Sequence, residues 1–259
     1  MAELAAAFLV FACYGVGALM LTPQALRRGT AVVRAVFTLG LGAHTLWVVV
    51  VLWPVLSGVS SLNLGQFIAC GLWVLALTAW LVRANGQATR GARLFAWVLA
   101  LSVVLPHALA GVELIAAGAP ASLMIHVLCS LLGVGVALVG LSCAWLSRVQ
   151  SALFKRDAAS PVLAWLPPLL ILESAVFILI WQGFILLALA LVSGFWVWPA
   201  DPSTGVDIKL GASLAAWGVF CFLLWGRWNQ GLRAARAAGW MALVVLLLVL
   251  ASFVFHFLG

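Results

Sequence analysis

Charge is what this sequence has least of. Only 7% of its 259 residues are Asp, Glu, Lys or Arg, against roughly a quarter in a soluble globular domain. With 66% of residues hydrophobic, a water-soluble fold is excluded. The apolar runs reach about 20 residues and do not alternate, so barrel strands are excluded as well. Helices are then the remaining way to cross lipid, because every backbone N–H and C=O must be paired within the segment. Motifs of hydrolysis and phosphoryl transfer are also missing: there is no nucleophile elbow, phosphate loop, HExxH or paired-carboxylate arrangement. An enzymatic role therefore has no support from these signatures. The five cysteines (Cys13, Cys70, Cys129, Cys143, Cys221) form no CxxC pair and lie inside apolar runs, so they read as small core residues.

What is present is an all-α, polytopic integral membrane helical bundle. Eight spans are expected, at about 5–21, 31–56, 62–82, 94–117, 122–146, 168–198, 208–226 and 239–258, in a single transmembrane domain over 1–259. The first run has only Glu3 before it and no basic flank, which predicts a retained span and not a cleaved signal. The net charge of +7 does not call for nucleic acid. Twelve of the 13 basic residues fall in the first, third, fifth and seventh connectors, and Lys209 is the exception. The positive-inside rule accounts for that placement and predicts both termini outside the cytoplasm. Trp80, Trp145, Trp165, Trp225, Trp228 and Trp240 then fall near the inner interface, and Trp53, Trp196 and Trp198 near the outer one.

All four histidines lie in the expected spans. His126 sits about one turn below the outer surface, with His256 at similar depth, His107 in the outer half and His44 near mid-membrane. Ionisable groups in lipid are costly and mark functional positions by default. On a 3.6-residue period His126 shares a face with Ser130, Gly133, Ala137, Gly140 and Ala144. Small residues let a helix or a flat ligand approach the backbone. His126 is therefore either a packed polar anchor or a ligand. Imidazole binds haem iron, zinc and copper alike. No carboxylate or thiolate motif accompanies these histidines at metal-site spacing, so a pure zinc site is weakly supported. Haem needs one or two imidazoles and an apolar slot, which the face below His126 offers. Trp47 flanks His44 one turn away, as core or as a macrocycle contact. Glu173 is expected to pair with a loop arginine and Gln182 to bond a neighbouring helix. Asn63 and Gln66 are placed to cap a helix or to bind a ligand carboxylate.

The stretches Leu166-Pro-Pro-Leu-Leu-Ile-Leu-Glu173, Gly183-Phe-Ile-Leu-Leu-Ala-Leu-Ala-Leu-Val-Ser-Gly194 and Ala216-Trp-Gly-Val-Phe-Cys-Phe-Leu-Leu-Trp-Gly-Arg-Trp-Asn-Gln-Gly231, with His44 and Met124-Ile-His126, together resemble the cytochrome c assembly membrane-protein family. The closest likeness is to its eight-span bacterial branch, often called CcsA-like, HemX-like or YpjD-like. The resemblance implies a haem-handling protein of the bacterial inner membrane, with b-type haem held non-covalently. Its ligand candidates are His126, then His44, His256 and His107, with Trp47, Ser130 and Gly133 as contacts. Membrane lipid and other membrane or assembly proteins are the implied partners. Two departures argue against a full haem-attaching synthetase. The tryptophan-rich WWD loop is echoed only by Trp196-Val-Trp198-Pro-Ala-Asp201, and Arg227 stands where several relatives carry a histidine. The competing readings are a non-enzymatic accessory subunit and, with less support, a small-solute transporter, for which no inverted repeat is visible.

Overall fold

The computed structural model describes residues 2–20, 30–82, 92–109, 111–158, 160–164, 166–197 and 206–257. Among these, seven helices are long and apolar enough to cross a bilayer, and Ala96–Ala108 is a shorter apolar segment. The chain is a multi-pass membrane protein built almost wholly of helices. Residues such as Phe8, Leu39, Trp181 and Phe195 point apolar side chains outward, as a lipid solvent requires. The helices divide into two compact units, Met1–Met124 and Ile125–Gly259.

In the first unit, α1 (Ala2–Met20) packs on α2 (Thr30–Leu56), and α2 on α3 (Leu64–Val82). Gly40 of α2 lies against the Tyr14 ring of α1 so closely that a methyl group would not fit. The fourth apolar run is the surprise. Its hydropathy predicts one helix over 94–117, yet α4 (Ala92–Leu101) passes into a 3-10 turn over Ser102–Val104 and the single turn α5 (Leu105–Ala108). Pro106 supplies no N–H and crowds the preceding turn, and Ser102 Oγ donates back to the Leu99 carbonyl at 2.6 Å. The chain then leaves the helix and forms β2 (Glu113–Ile115), which pairs antiparallel with β1 (Leu62–Asn63) across an irregular register. Gly58 and Gly118, at φ of +76° and +84°, adopt the left-handed conformation natural to glycine. They join their two loops through a Gly118 N–H to Gly58 carbonyl bond of 3.0 Å.

Asn63 and Gln66 cap α3 reciprocally. Asn63 Oδ1 accepts from the Gln66 N–H at 2.8 Å, and Gln66 Oε1 from the Asn63 N–H at 3.0 Å, which is the geometry of a capping box. Asn63→Ala is expected to cost about 1 kcal/mol, read as a lower thermal midpoint in detergent.

The second unit contains α6 (Ala121–Arg156) from Ile125 onward, α7 (Leu169–Val197), α8 (Val206–Gln230) and α9 (Ala234–Phe257). Its core joins Val176, Ile180 and Leu187 of α7 with Phe220 and Leu223 of α8, Met241 and Val244 of α9, and Ala137 and Ala144 of α6. Gly183 makes room for Phe220, and Gly140 for the Met241 methyl. Helix α6 continues ten residues past the expected end at 146. At about 1.5 Å per residue it reaches roughly 54 Å, well beyond a hydrocarbon core of about 30 Å. The span expected over 122–146 stops where charge begins to collect. Leu, Ala, Gln, Lys and Arg are good helix formers, however, and the buried Gln150 anchors the extension by donating to the Pro167 carbonyl at 3.1 Å.

Glu173 pairs with Arg227 at 3.6 Å. The same guanidinium lies 4.6 Å from the centre of the Phe177 ring and donates to the Leu232 carbonyl at 3.1 Å. With 44% of the Arg227 side chain exposed, solvent screens the pair. Glu173→Gln is therefore expected to cost no more than about 0.5 kcal/mol in unfolding free energy.

Candidate functional site

His126 lies near the start of α6, half-buried. Its Nδ1 is 2.7 Å from the Ala190 carbonyl oxygen on α7. A carbonyl only accepts, so Nδ1 carries the proton and donates. A neutral imidazole then keeps its lone pair on Nε2, the form in which histidine ligates a metal. The Ser193 hydroxyl, also on α7, donates to the Leu189 carbonyl at 2.7 Å and approaches the Ala190 carbonyl at 3.2 Å. One turn beyond Ala190, Gly194 faces the imidazole directly: a Cβ there would sit 2.9 Å from both Nδ1 and Cε1 of His126.

The small-residue face below His126 is a packing seam. A Cβ on Gly133 would meet Leu186 and Leu187, and one on Gly140 would meet Met241 and Leu179. Ala137 and Ala144 are fully buried. Of the two uses expected for this face, close approach of helices is the one observed. Ser130 turns its hydroxyl to its own helix, donating to the Val127 carbonyl at 3.1 Å.

His44 occupies a different setting, in the first unit. It is 0% exposed, as are Tyr14 and Trp47. Its ring meets Tyr14 edge-on at 6.1 Å and Trp47 at 5.9 Å. Neither imidazole nitrogen makes a hydrogen bond of good geometry, nor do the Tyr14 hydroxyl and the Trp47 indole N–H. The Ala69 backbone of α3 faces the His44 ring. A planar macrocycle at His44 would have to displace one of these aromatic neighbours. His107 is exposed on α5, also in the first unit. His256 falls in the last turns of α9, and its side chain lies outside the described residues, as do Trp198 and Asp201.

Among the described residues no three His, Cys, Asp or Glu side chains come together as a metal cluster. The donor set suits haem, which asks for an oriented imidazole in an apolar surrounding. Sequence reasoning missed Ala190 and Gly194 as partners of His126. They are some 64 residues away along the chain, and a backbone carbonyl leaves no trace in sequence. Comparison with curated proteins and with solved structures returns no match. The model of the cytochrome c assembly protein family matches residues 5–259, and by that near-complete coverage the chain belongs to this family and to cytochrome c biogenesis.

Proposed function

We propose that this chain is a haem-binding component of cytochrome c assembly in the bacterial inner membrane, with both termini outside the cytoplasm. His126 Nε2 is the axial ligand, and the haem is held non-covalently on the outer half of the bundle. The observation that carries the reading is the 2.7 Å bond from His126 Nδ1 to Ala190. It orients the imidazole and leaves Nε2 as its ligating nitrogen, an arrangement that recurs where histidine serves a metal. When bound, haem supplies an iron centre whose state the axial ligand tunes. The chain's own part is to fix the imidazole through α7 and to exclude water with apolar helices. His44, His256 and His107 remain candidates for a second ligand or for a second site, and the enclosed packing of His44 between Tyr14 and Trp47 weighs against a macrocycle there.

The chain binds or passes on haem and does not attach it, since the WWD loop that would present haem for attachment is reduced to Trp196-Val-Trp198-Pro-Ala-Asp201. Its partners are membrane lipid and other assembly proteins. The test is the absorption spectrum of protein purified from haem-replete cells. A Soret band is expected, and a preparation that takes up no haem even on addition overturns the reading.

A further inference from the structure

We infer that Gly194 is a positioning residue for His126, and that with the Ala190 carbonyl it forms a seat fixing the tautomer and direction of the imidazole. The consequence for haem rests on the proposed function above; the seat itself does not.

The seat has two parts on one face of α7, because residues four apart align along a helix. The Ala190 carbonyl holds Nδ1 at 2.7 Å. Gly194 supplies the space in which the Nδ1–Cε1 edge lies, since a Cβ there would stand 2.9 Å from both atoms. Such a distance is inside van der Waals contact, so something must move. The imidazole is rigid and already tied at the contacted atom. Its relief is rotation, which lengthens the bond to Ala190. The alternative relief, parting α6 from α7, is opposed further down by Gly133 against Leu186 and by Gly140 against Leu179.

Ser193 does not contest the seat, because its shorter bond is to Leu189, 2.7 Å against 3.2 Å. The Nδ1–Cε1 edge therefore faces α7, and the Nε2 lone pair diverges from the Nδ1–H that the Ala190 carbonyl holds. A side chain at 194 would release that arrangement without touching the haem-binding nitrogen.

The chain has four histidines, so protein labelled with 15N-histidine gives four imidazole spin systems. In wild type, at a pH where the rings are neutral, the system that vanishes in His126→Asn is expected to show a protonated Nδ1 and a bare Nε2. In Gly194→Ala the same system is expected to become a mixture of tautomers. Haem affinity should then fall about 10- to 100-fold, the usual effect of losing an outer partner of a ligating histidine. A wild-type His126 protonated on Nε2 overturns the inference, whether or not Gly194→Ala folds. So does a folded Gly194→Ala protein with unchanged tautomer and affinity. The expected tautomer in a protein that binds no haem supports the seat and removes the haem reading alone.

Discussion

His126→Ala is expected to abolish the Soret band of the purified protein and to weaken binding of added haem by more than about 100-fold. That exceeds the roughly 10- to 100-fold attributed to an outer-shell partner, because the ligand itself is removed. The loss should not reflect unfolding. His126 is half-buried, and the Ala190 carbonyl it leaves keeps the Ser193 hydroxyl nearby. The stability cost is then that of one ordinary hydrogen bond, about 1 kcal/mol, and a thermal scan in detergent should separate the two effects. His44→Ala is the contrasting variant. Removing a ring enclosed by Tyr14 and Trp47 leaves a cavity, so stability should fall by about 2–4 kcal/mol, while the His126 site keeps its haem. A Soret band kept in His126→Ala and lost in His44→Ala would move the site to the first unit and reject the assignment.

The sequence made the class of fold plain because lipid imposes a one-dimensional rule: long apolar runs become helices whatever they pack against. Two run ends were misread for the same reason. Pro106 and Ser102 break the fourth run through backbone effects that hydropathy does not register. The end of α6 stays helical because Gln150 finds the Pro167 carbonyl, a contact no local pattern encodes. Family membership was legible from the ordered stretches around His44, His126, Glu173 and Gly194. The use of the small-residue face was not. Gly133, Ala137, Gly140 and Ala144 serve a flat ligand and a neighbouring helix equally well on paper, and only the positions of Leu186 and Met241 decide. The Asn63–Gln66 pair had the same ambiguity, resolved by their mutual bonds.

Gly65→Ala is expected to be the most disruptive single-methyl change in the first unit, costing about 3 kcal/mol or more, at or beyond the upper end of overpacking substitutions. Gly65 is buried in the first turn of α3, and a Cβ there would run into the Leu105 carbonyl and Pro106 Cα. These are backbone atoms that cannot rotate away as a side chain would. The segment carrying them is clamped from both sides. The Leu105 carbonyl accepts the Leu109 N–H at 2.9 Å, the Leu64 N–H donates to Val112 at 2.8 Å, and Gly118 is tied to Gly58. Asn63 Nδ2 adds a longer bond of 3.4 Å to the Pro106 carbonyl. Retreat of the α5 turn would therefore strain the cap of α3 and the β1–β2 pair together. The matched control is Gly42→Ala on α2, where an added Cβ meets nothing within 4 Å. There the gain in helix propensity should be neutral or stabilising by up to about 1 kcal/mol. The two variants add the same methyl group to the same bundle, so the gap between their unfolding free energies measures how tightly the broken fourth run is held against α3. A Gly65→Ala protein within about 1 kcal/mol of Gly42→Ala would mean that this run can slide away, and that the capping and strand bonds are too weak to hold it.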